Sequence, residues 1–298
     1  MILDFYYFFI FERFFKFLSS MKKFETHNEL KNVILVSDIH ANWEALKKIT
    51  QLPEYNKNDY RIIFLGDYTD WNGKNVHDPI KVINFIMNQV TKHGALAIHG
   101  NHDDMLYGTA LGDFQEFYNW GYNGILGTQK LLGLTPNNIN LELTKNELNT
   151  KYYKYIDFLD SIPYGIEDKN RLFVHAGVDW SKKDYHDTSK ENLTWIREDY
   201  FYNQEEEGTD PSTKYKGNNS ISPIWHENNT KKVIVAGHTP TYLFSGKINN
   251  PIISIKNNQN DIPRYDIDGG SHSGIPEAAL NILILNKDGN ELKRYRLS

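Results

Sequence analysis

The chain has 298 residues, of which 40% are hydrophobic and 24% are charged, and this composition suits one large globular domain or two tightly packed halves. Its 33 basic and 38 acidic residues leave a net charge of −5, so we expect no stable binding to nucleic acid. The absence of cysteine excludes disulfides and thiolate metal sites and agrees with a reducing compartment. We therefore expect a cytoplasmic protein in which any metal ion is bound by oxygen and nitrogen.

The first twenty residues differ from the rest of the sequence. Residues 1–20 are crowded with Phe and Tyr, and their longest apolar run, Phe5–Phe11, is far shorter than the roughly 18 residues that span a bilayer. They also lack the basic start and the cleavage site of a secretory signal. We expect residues 1–20 to be a leader or an artefact outside the fold, and residues 21–298 to form the domain. A partner-binding or interfacial helix and a membrane anchor are the alternatives.

The first part of the domain alternates strand and helix patterns. A strand at Asn32–Val36 precedes a helix near Trp43–Leu52, and a strand at Arg61–Leu65 precedes a helix near Asp78–His93. Polar residues from Asn75 to Asp78 can cap the start of the second helix. Its apolar residues recur at steps of three and four and predict a stripe that faces the core, made of Ile80, Ile83, Met87 and Val90.

The rest of the chain is helical first and then returns to β character. Residues from about Met105 to Ser161 look mostly helical, and we expect them to cap the rim of a site. Residues Asn203–Ser220 are polar and predict an exposed loop. The pattern as a whole predicts two stacked sheets with helices outside. Further strands are predicted at Ala95–Ile98, Arg171–Val174, Lys232–Ala236, Ile252–Ile255, Tyr265–Ile267, Ala279–Leu285 and Glu291–Leu297, the last two joined by a turn at 287–290.

Metal-ligand side chains follow five of these strands. Each segment alone is a weak signal, because a single Asp or His at a strand end is more often a turn residue or a hydrogen-bonded core residue. Ligands at the ends of several strands nevertheless converge on one crevice. The segments are Ser37–His40, Gly66–Asp70, Gly100–Asp103, Val174–Gly177 and Gly237–Pro240.

Taken together, the five segments predict a dinuclear metal site. Asp38 and His40 are two residues apart, so on an extended strand end they point the same way. The carboxylate of Asp67 can bridge two cations, since each oxygen can bind one. Such a pair activates a bridging water and orients a phosphate, and this ligand chemistry suits Mn, Fe or Zn. The predicted ligands are Asp38, His40, Asp67, Asn101, His175 and His238.

A leaving alkoxide needs a proton, and a histidine beside a metal ligand can donate it. His102 follows Asn101 directly and is the candidate general acid. A neighbouring carboxylate would orient its imidazole. Asp70 and Asp103 are both candidates for that carboxylate.

These segments resemble the calcineurin-like metallophosphoesterase superfamily, and in particular its bacterial and phage phosphatases of the serine/threonine phosphoprotein phosphatase type. The similarity runs from about residue 31 to 290. It includes five further segments, at Trp120–Gly133, Phe158–Pro163, Thr194–Glu198, Val233–Thr241 and Ile267–Gly270.

The resemblance implies an α/β fold, a four-layer αββα sandwich of two mixed β-sheets flanked by helices, with a helical cap insertion at about 105–161. It implies a metal-dependent hydrolase that uses two divalent ions, most often Mn, and cleaves phosphomonoesters by attack of a metal-bound hydroxide. The substrate would be a phosphorylated small molecule, a nucleotide or a phosphoprotein. The implied roles are Asp38, His40 and Asp67 on one metal; Asp67, Asn101, His175 and His238 on the other; His102 with Asp70 as the acid pair; and Arg197 and Asn101 at the substrate phosphate.

The chain departs from the family pattern at two positions. Ala41 stands where family members usually carry glycine, and Trp71 follows Asp70 where they carry a phosphate-binding arginine. The alternatives are a dinucleoside polyphosphate hydrolase of the diadenosine tetraphosphatase type, a phosphodiesterase, and a metal-bound binding module without turnover. The pair of His102 and Asp70 favours an enzyme, while the missing arginine favours the binding module.

Overall fold

The computed structural model describes residues 22–70, 78–135, 140–202, 225–246, 249, 251–256, 259–273 and 277–298. Three features of the sequence lie outside the described residues: the leader at 1–20, Trp71 with the two residues after it, and the predicted loop Asn203–Ser220.

One sheet of the described chain has five strands in the order β11-β10-β2-β3-β4. Strands β2, β3 and β4 are parallel neighbours, and Ile34 of β2 lies opposite Ile62 of β3. Strands β10 and β11 form an antiparallel hairpin, and β10 pairs with β2 in the antiparallel sense. The strands are β2 (Asn32–Val36), β3 (Tyr60–Phe64), β4 (Leu96–Ala97), β10 (Leu280–Leu285) and β11 (Glu291–Leu297).

The second sheet has six strands in the order β1-β5-β6-β7-β9-β8. Strands β6, β7 and β9 are parallel neighbours, and β5 and β8 pair with them in the antiparallel sense. The sequence patterns did not predict β1 and β5, which are only three residues long. The strands are β1 (Phe24–Thr26), β5 (Gly165–Glu167), β6 (Arg171–Val174), β7 (Val233–Ala236), β8 (Ile253–Ile255) and β9 (Arg264–Asp266).

The two sheets stack face to face, as the alternation of buried side chains along the strands shows. Val33 and Leu35 of β2 share one apolar cluster with Phe173 and Val235 of the second sheet. Ile34, on the opposite face of β2, packs in another cluster with the helices. Side chains alternate across a strand, so each sheet buries one face against the other sheet and one face against helices. The predicted sandwich of two mixed sheets flanked by helices is confirmed.

Ten α-helices surround the sheets in the described part of the chain, together with three short 3-10 helices at Lys47–Gln51, Tyr185–Asp187 and Ser271–Ser273. Within the described residues, no helix is long and apolar enough to cross a membrane. The helices are α1 (Trp43–Leu46), α2 (Pro79–His93), α3 (Asn101–Leu111), α4 (Phe114–Asn123), α5 (Ile125–Leu131), α6 (Leu141–Lys151), α7 (Tyr153–Ser161), α8 (Lys190–Trp195), α9 (Glu198–Phe201) and α10 (Tyr242–Ser245).

The stripe predicted for α2 is partly wrong. Ile80 is 42% exposed, whereas Val82, Ile83 and Ile86 are buried. Two overlapping stripes share Ile83 in this sequence, and periodicity alone does not choose between them. The start of the helix agrees with the prediction, because the side chain of Asp78 caps it. The single helix predicted from Trp43 to Leu52 is also wrong, since α1 gives way to a 3-10 turn.

Candidate active site

The first ligand segment leaves β2 through a left-handed turn. Asp38 and His40 have φ values of 52° and 46°, so the extended geometry assumed for this pair is wrong. Hydrogen bonds from Asp38 N to Gly66 O at 3.2 Å and from His40 N to Asp67 O at 2.9 Å hold the turn against the loop after β3. The two side chains still converge, because Asp38 Oδ1 lies 3.9 Å from His40 Nε2.

Ala41 continues this turn with φ 59° and is completely buried. A residue with a Cβ costs on the order of 1 kcal/mol more than glycine in the left-handed region. Its N–H donates to Tyr68 O at 2.8 Å, and this contact helps to hold the turn. The replacement of the family's glycine is therefore accommodated, but at an energetic cost.

Asp67 lies at the centre of the site. Its Oδ1 accepts a hydrogen bond from His102 N at 3.0 Å. Its Oδ2 lies 3.6 Å from His40 Nε2 and 3.4 Å from His175 Nε2. Because His40 follows a strand of the first sheet and His175 follows a strand of the second, the carboxylate stands between two groups of ligands. This is the position that a bridging carboxylate needs.

Glycines and a buried carboxylate hold the loops of this centre together. A Cβ on Gly66 would lie 2.4 Å from Gly100 N, and a Cβ on Gly100 would lie 2.2 Å from Asp67 Oδ1, so neither position has room for a side chain. The carboxylate of Asp103 accepts N–H groups from Asp67 at 2.7 Å, Tyr68 at 3.2 Å and Gly100 at 2.9 Å. Burial, together with the charge of Asp67, raises the pKa of Asp103 to about 7.

Three of the predicted ligands come from the ends of other elements. His175 and His238 follow the parallel neighbours β6 and β7, and their ring centroids are 5.1 Å apart. Asn101 begins α3, and its Oδ1 lies 3.1 Å from His175 Nε2. The Nε2 of His238 is buried and has no hydrogen-bond partner among the described residues. Buried polar atoms are almost always satisfied, so this nitrogen indicates a bound group such as a metal ion.

The backbone fixes the orientation of two imidazoles. Nδ1 of His40 donates to Asp70 O at 2.7 Å, and Nδ1 of His175 donates to Leu65 O at 2.7 Å. A carbonyl oxygen only accepts, so Nδ1 carries a proton in both rings, and Nε2 is the nitrogen that faces the site. Metal-binding histidines are held by outer hydrogen bonds of this kind.

The ligand atoms fall into two groups that share Asp67. One ligand atom from each of Asp38, His40 and Asp67 lies within 4.8 Å of the others, and the same holds for Asp67, His175 and His238. All five side chains are buried. Packing so many ionisable groups together without water is costly unless they bind a cation. The residues present therefore fit the metal pair that the resemblance implies.

The charges of this centre also favour a cation. Burial opposes protonation of His175, but the carboxylates of Asp67 and Asp38 outweigh it and raise the pKa of the imidazole to about 10. Burial opposes ionisation of Asp67, but His175 and His102 outweigh it and hold its pKa well below the ordinary value. Since a metal binds neutral imidazole, metal binding at neutral pH must release the proton of His175.

His102 pairs with Asp70 in the structure. His102 Nδ1 lies 3.0 Å from Asp70 Oδ2, and the same oxygen accepts the indole N–H of Trp120 at 2.6 Å. The N–H of Asp70 donates to Thr128 Oγ1 at 2.9 Å, so the cap helices α4 and α5 position the pair. Burial opposes protonation of His102, but Asp67 and Asp70 raise the pKa of its imidazole above the ordinary value. Asp103, the other candidate, binds backbone N–H groups instead.

Arg197 reaches the centre beside His238. It precedes α9, is half-buried, and donates from Nη1 to His238 O at 2.9 Å. The structure therefore brings every predicted site residue to one centre. Their roles as metal ligands, general acid and phosphate contacts stay predictions.

Sequence reasoning missed one residue of the centre. His272 lies in the 3-10 turn Ser271–Ser273, and its ring centroid is 4.7 Å from that of His40 and 5.2 Å from that of His102. The signal was present in the sequence, because His272 comes two residues after the turn Ile267–Gly270 that resembles a family segment.

Comparisons with known proteins agree with this geometry. The sequence matches the family described as calcineurin-like phosphoesterase over residues 31–262. A crystal structure of a candidate diadenosine tetraphosphatase is similar at 13% identity and TM-score 0.52, covering 93% of this chain and 99% of that one. A protein serine/threonine phosphatase from Saccharomyces cerevisiae is similar at 10% identity and TM-score 0.50, covering 95% of this chain and 85% of that one. At these identities the two structures show the fold alone. None of the curated proteins matches the sequence.

Proposed function

This chain belongs to the calcineurin-like phosphoesterase family, and we propose that it hydrolyses phosphomonoesters as a serine/threonine protein phosphatase does. The observation that carries the proposal is the pair of buried ligand groups that share Asp67, beside the contact between His102 and Asp70. Ligand groups alone would suit a binding module. The buried imidazole and carboxylate next to them supply what turnover needs.

Two divalent metal ions are the proposed cofactor. Asp38, His40 and Asp67 would hold one ion, while Asp67, Asn101, His175 and His238 would hold the other. The ligands are oxygen and nitrogen only, which favours Mn, with Fe or Zn as alternatives. When bound, the pair supplies the positive charge that orients a phosphate and activates water.

His102 is the proposed general acid. Its Nδ1 contacts Asp70, so Nε2 is the nitrogen that can donate a proton to the leaving oxygen. Asp70 is itself held by Trp120 and Thr128, and this fixes the plane of the imidazole. Burial opposes protonation of His102, but Asp67 and Asp70 raise the pKa of its imidazole, and this favours the protonated ring that an acid catalyst requires.

Arg197 and Asn101 are the proposed contacts to the substrate phosphate. The guanidinium of Arg197 is already oriented by His238 O, and its planar donors suit phosphate oxygens. Asn101 carries an amide N–H₂ that can donate to a phosphate oxygen while its Oδ1 faces His175.

A dinucleoside polyphosphate is the second candidate substrate. The feature that favours it is Trp71, whose ring suits stacking on a base where the family carries an arginine. If this is correct, Trp71→Arg should raise kcat/KM for a small phosphomonoester and lower it for a nucleotide. If kcat/KM changes in the same direction for both substrates, or changes for neither, Trp71 has no role in the choice of substrate.

One experiment tests the proposed function. Purified protein loaded with Mn is assayed against an aryl phosphate, a bis-aryl phosphate, a phosphoserine peptide and diadenosine tetraphosphate, with Asp67→Asn as the inactive control. The proposal expects the highest kcat/KM on the monoesters. Preference for diadenosine tetraphosphate or for the bis-aryl ester would replace it by the corresponding alternative, and binding without turnover of any substrate would favour the binding module.

A further inference from the structure

Among the described histidines of the centre, His272 is the one to which the family resemblance assigns no role. Its Nε2 is buried and has no hydrogen-bond partner in the described parts of the chain. One nitrogen from each of His40, His102 and His272 lies within 4.8 Å of the others. An unpartnered nitrogen at this place is expensive unless something binds to it.

The turn that carries His272 is fastened to the loop of the first ligand segment. Ser271 Oγ donates to Ile39 O at 3.2 Å and accepts from Asn42 Nδ2 at 3.3 Å. Ser273 closes the turn, because its N–H and its hydroxyl both donate to Gly270 O, at 3.0 Å and 2.7 Å. The imidazole is therefore held beside His40 by contacts on both sides and is not a loosely placed surface ring.

The proton of His272 is placed as in the other ligand histidines. The backbone carbonyl of Asn123 accepts a hydrogen bond from the ring. Since Nε2 has no partner, the donor is Nδ1, and the neutral ring presents the lone pair of Nε2 to the site. In His40 and His175, Nδ1 likewise donates a hydrogen bond to a backbone carbonyl oxygen. His102 differs, because its Nδ1 contacts the carboxylate of Asp70.

We propose that His272 Nε2 is an additional ligand of the metal ion on the side of Asp38, His40 and Asp67. The inference rests on the proposed metal pair and adds a ligand from the turn after β9, outside the five ligand segments. It gives this ion three side chains from the first sheet's loops and one from the second sheet. A fourth protein ligand occupies a position that would otherwise be open to solvent, so it strengthens binding of this ion in particular.

The test measures metal binding directly. Mn²⁺ is titrated calorimetrically into metal-free wild type, His272→Ala and His93→Ala, the last being a control at an exposed histidine at the end of α2. The inference expects His272→Ala to bind one of the two ions at least ~10-fold more weakly, since the loss of groups that support a metal costs about that much or more. The other ion in His272→Ala, and both ions in His93→Ala, should bind as in wild type.

A spectroscopic readout keeps the test valid if His272→Ala folds poorly. In wild type with ¹⁵N-labelled histidine, Zn²⁺ should shift the Nε2 resonance of His272 to the range of a metal-bound imidazole. The inference would be overturned if folded His272→Ala bound both Mn²⁺ ions with wild-type affinity. It would also be overturned if Zn²⁺ did not shift the Nε2 resonance of His272 in wild type. If His272→Ala weakens one ion but the wild type hydrolyses no phosphoester, the ligand assignment stands and the proposed function fails.

Discussion

Gly100→Ala is the sharpest perturbation of the centre, because the structure gives its effect in distances. The new Cβ would lie 2.2 Å from Asp67 Oδ1, 2.5 Å from Asp67 N and 2.9 Å from His175 Cε1. Non-bonded heavy atoms settle at about 3.5 Å or more, so the carboxylate must retreat by roughly 1 Å. Gly100 has φ −106°, which alanine adopts freely, so the effect is steric.

Two quantities should change in Gly100→Ala. Overpacking of this kind costs about 1–3 kcal/mol, and urea unfolding of the metal-free protein should show a loss of stability in that range. Displacement of Asp67 should weaken at least one Mn²⁺ site by ~10-fold or more in calorimetric titration, as loss of metal-site support does. Gly121→Ala is the control, because a Cβ there meets nothing within 4 Å. Two ions bound to Gly100→Ala with wild-type affinity would refute the reasoning.

Three further predictions concern single groups. If His102 is the acid, His102→Ala should slow phosphoserine hydrolysis by on the order of 10²–10⁴-fold but nitrophenyl phosphate hydrolysis much less, and equal losses would count against the assignment. Trp120→Phe removes the indole donor of Asp70, so urea unfolding should show a loss of about 1.5–3 kcal/mol; an unchanged midpoint would contradict the importance of this bond. Burial near Asp104 raises the pKa of Glu116 from 4.5 to about 7, so the native state binds the proton more tightly and stability falls as pH rises between these values. At pH 8 the urea midpoint of Glu116→Gln should therefore be higher than that of wild type. A lower midpoint at pH 8 would contradict a raised pKa at Glu116.

The sequence was sufficient to predict the sandwich and the position of the ligand segments. This succeeded because each predicted ligand segment follows a buried apolar strand, and the parallel strands of one sheet end at the same edge. The boundaries of Asn32–Val36, Arg171–Val174 and Glu291–Leu297 agree with the structure.

The features of the site that the sequence patterns did not predict depend on long-range contacts. The left-handed conformations of Asp38 and His40 depend on hydrogen bonds to the loop after β3, which no local pattern encodes. The residues alone left Asp70 and Asp103 open, although the resemblance implied Asp70, and the contact of His102 with Asp70 depends on α4, whose Trp120 holds Asp70. His272 was missed because only the turn Ser271–Ser273, packed on the first ligand loop, brings it to the centre.

The central claim is that hydrolysis depends on two metal ions held by this centre, and one titration tests it most directly. Metal-free protein is supplied with increasing Mn²⁺ while the initial rate of nitrophenyl phosphate hydrolysis and the bound metal are measured together. We predict no hydrolysis without metal and a rate that rises until two ions are bound per chain, with Asp67→Asn failing to reach that stoichiometry. Full activity in a demonstrably metal-free preparation would contradict the account.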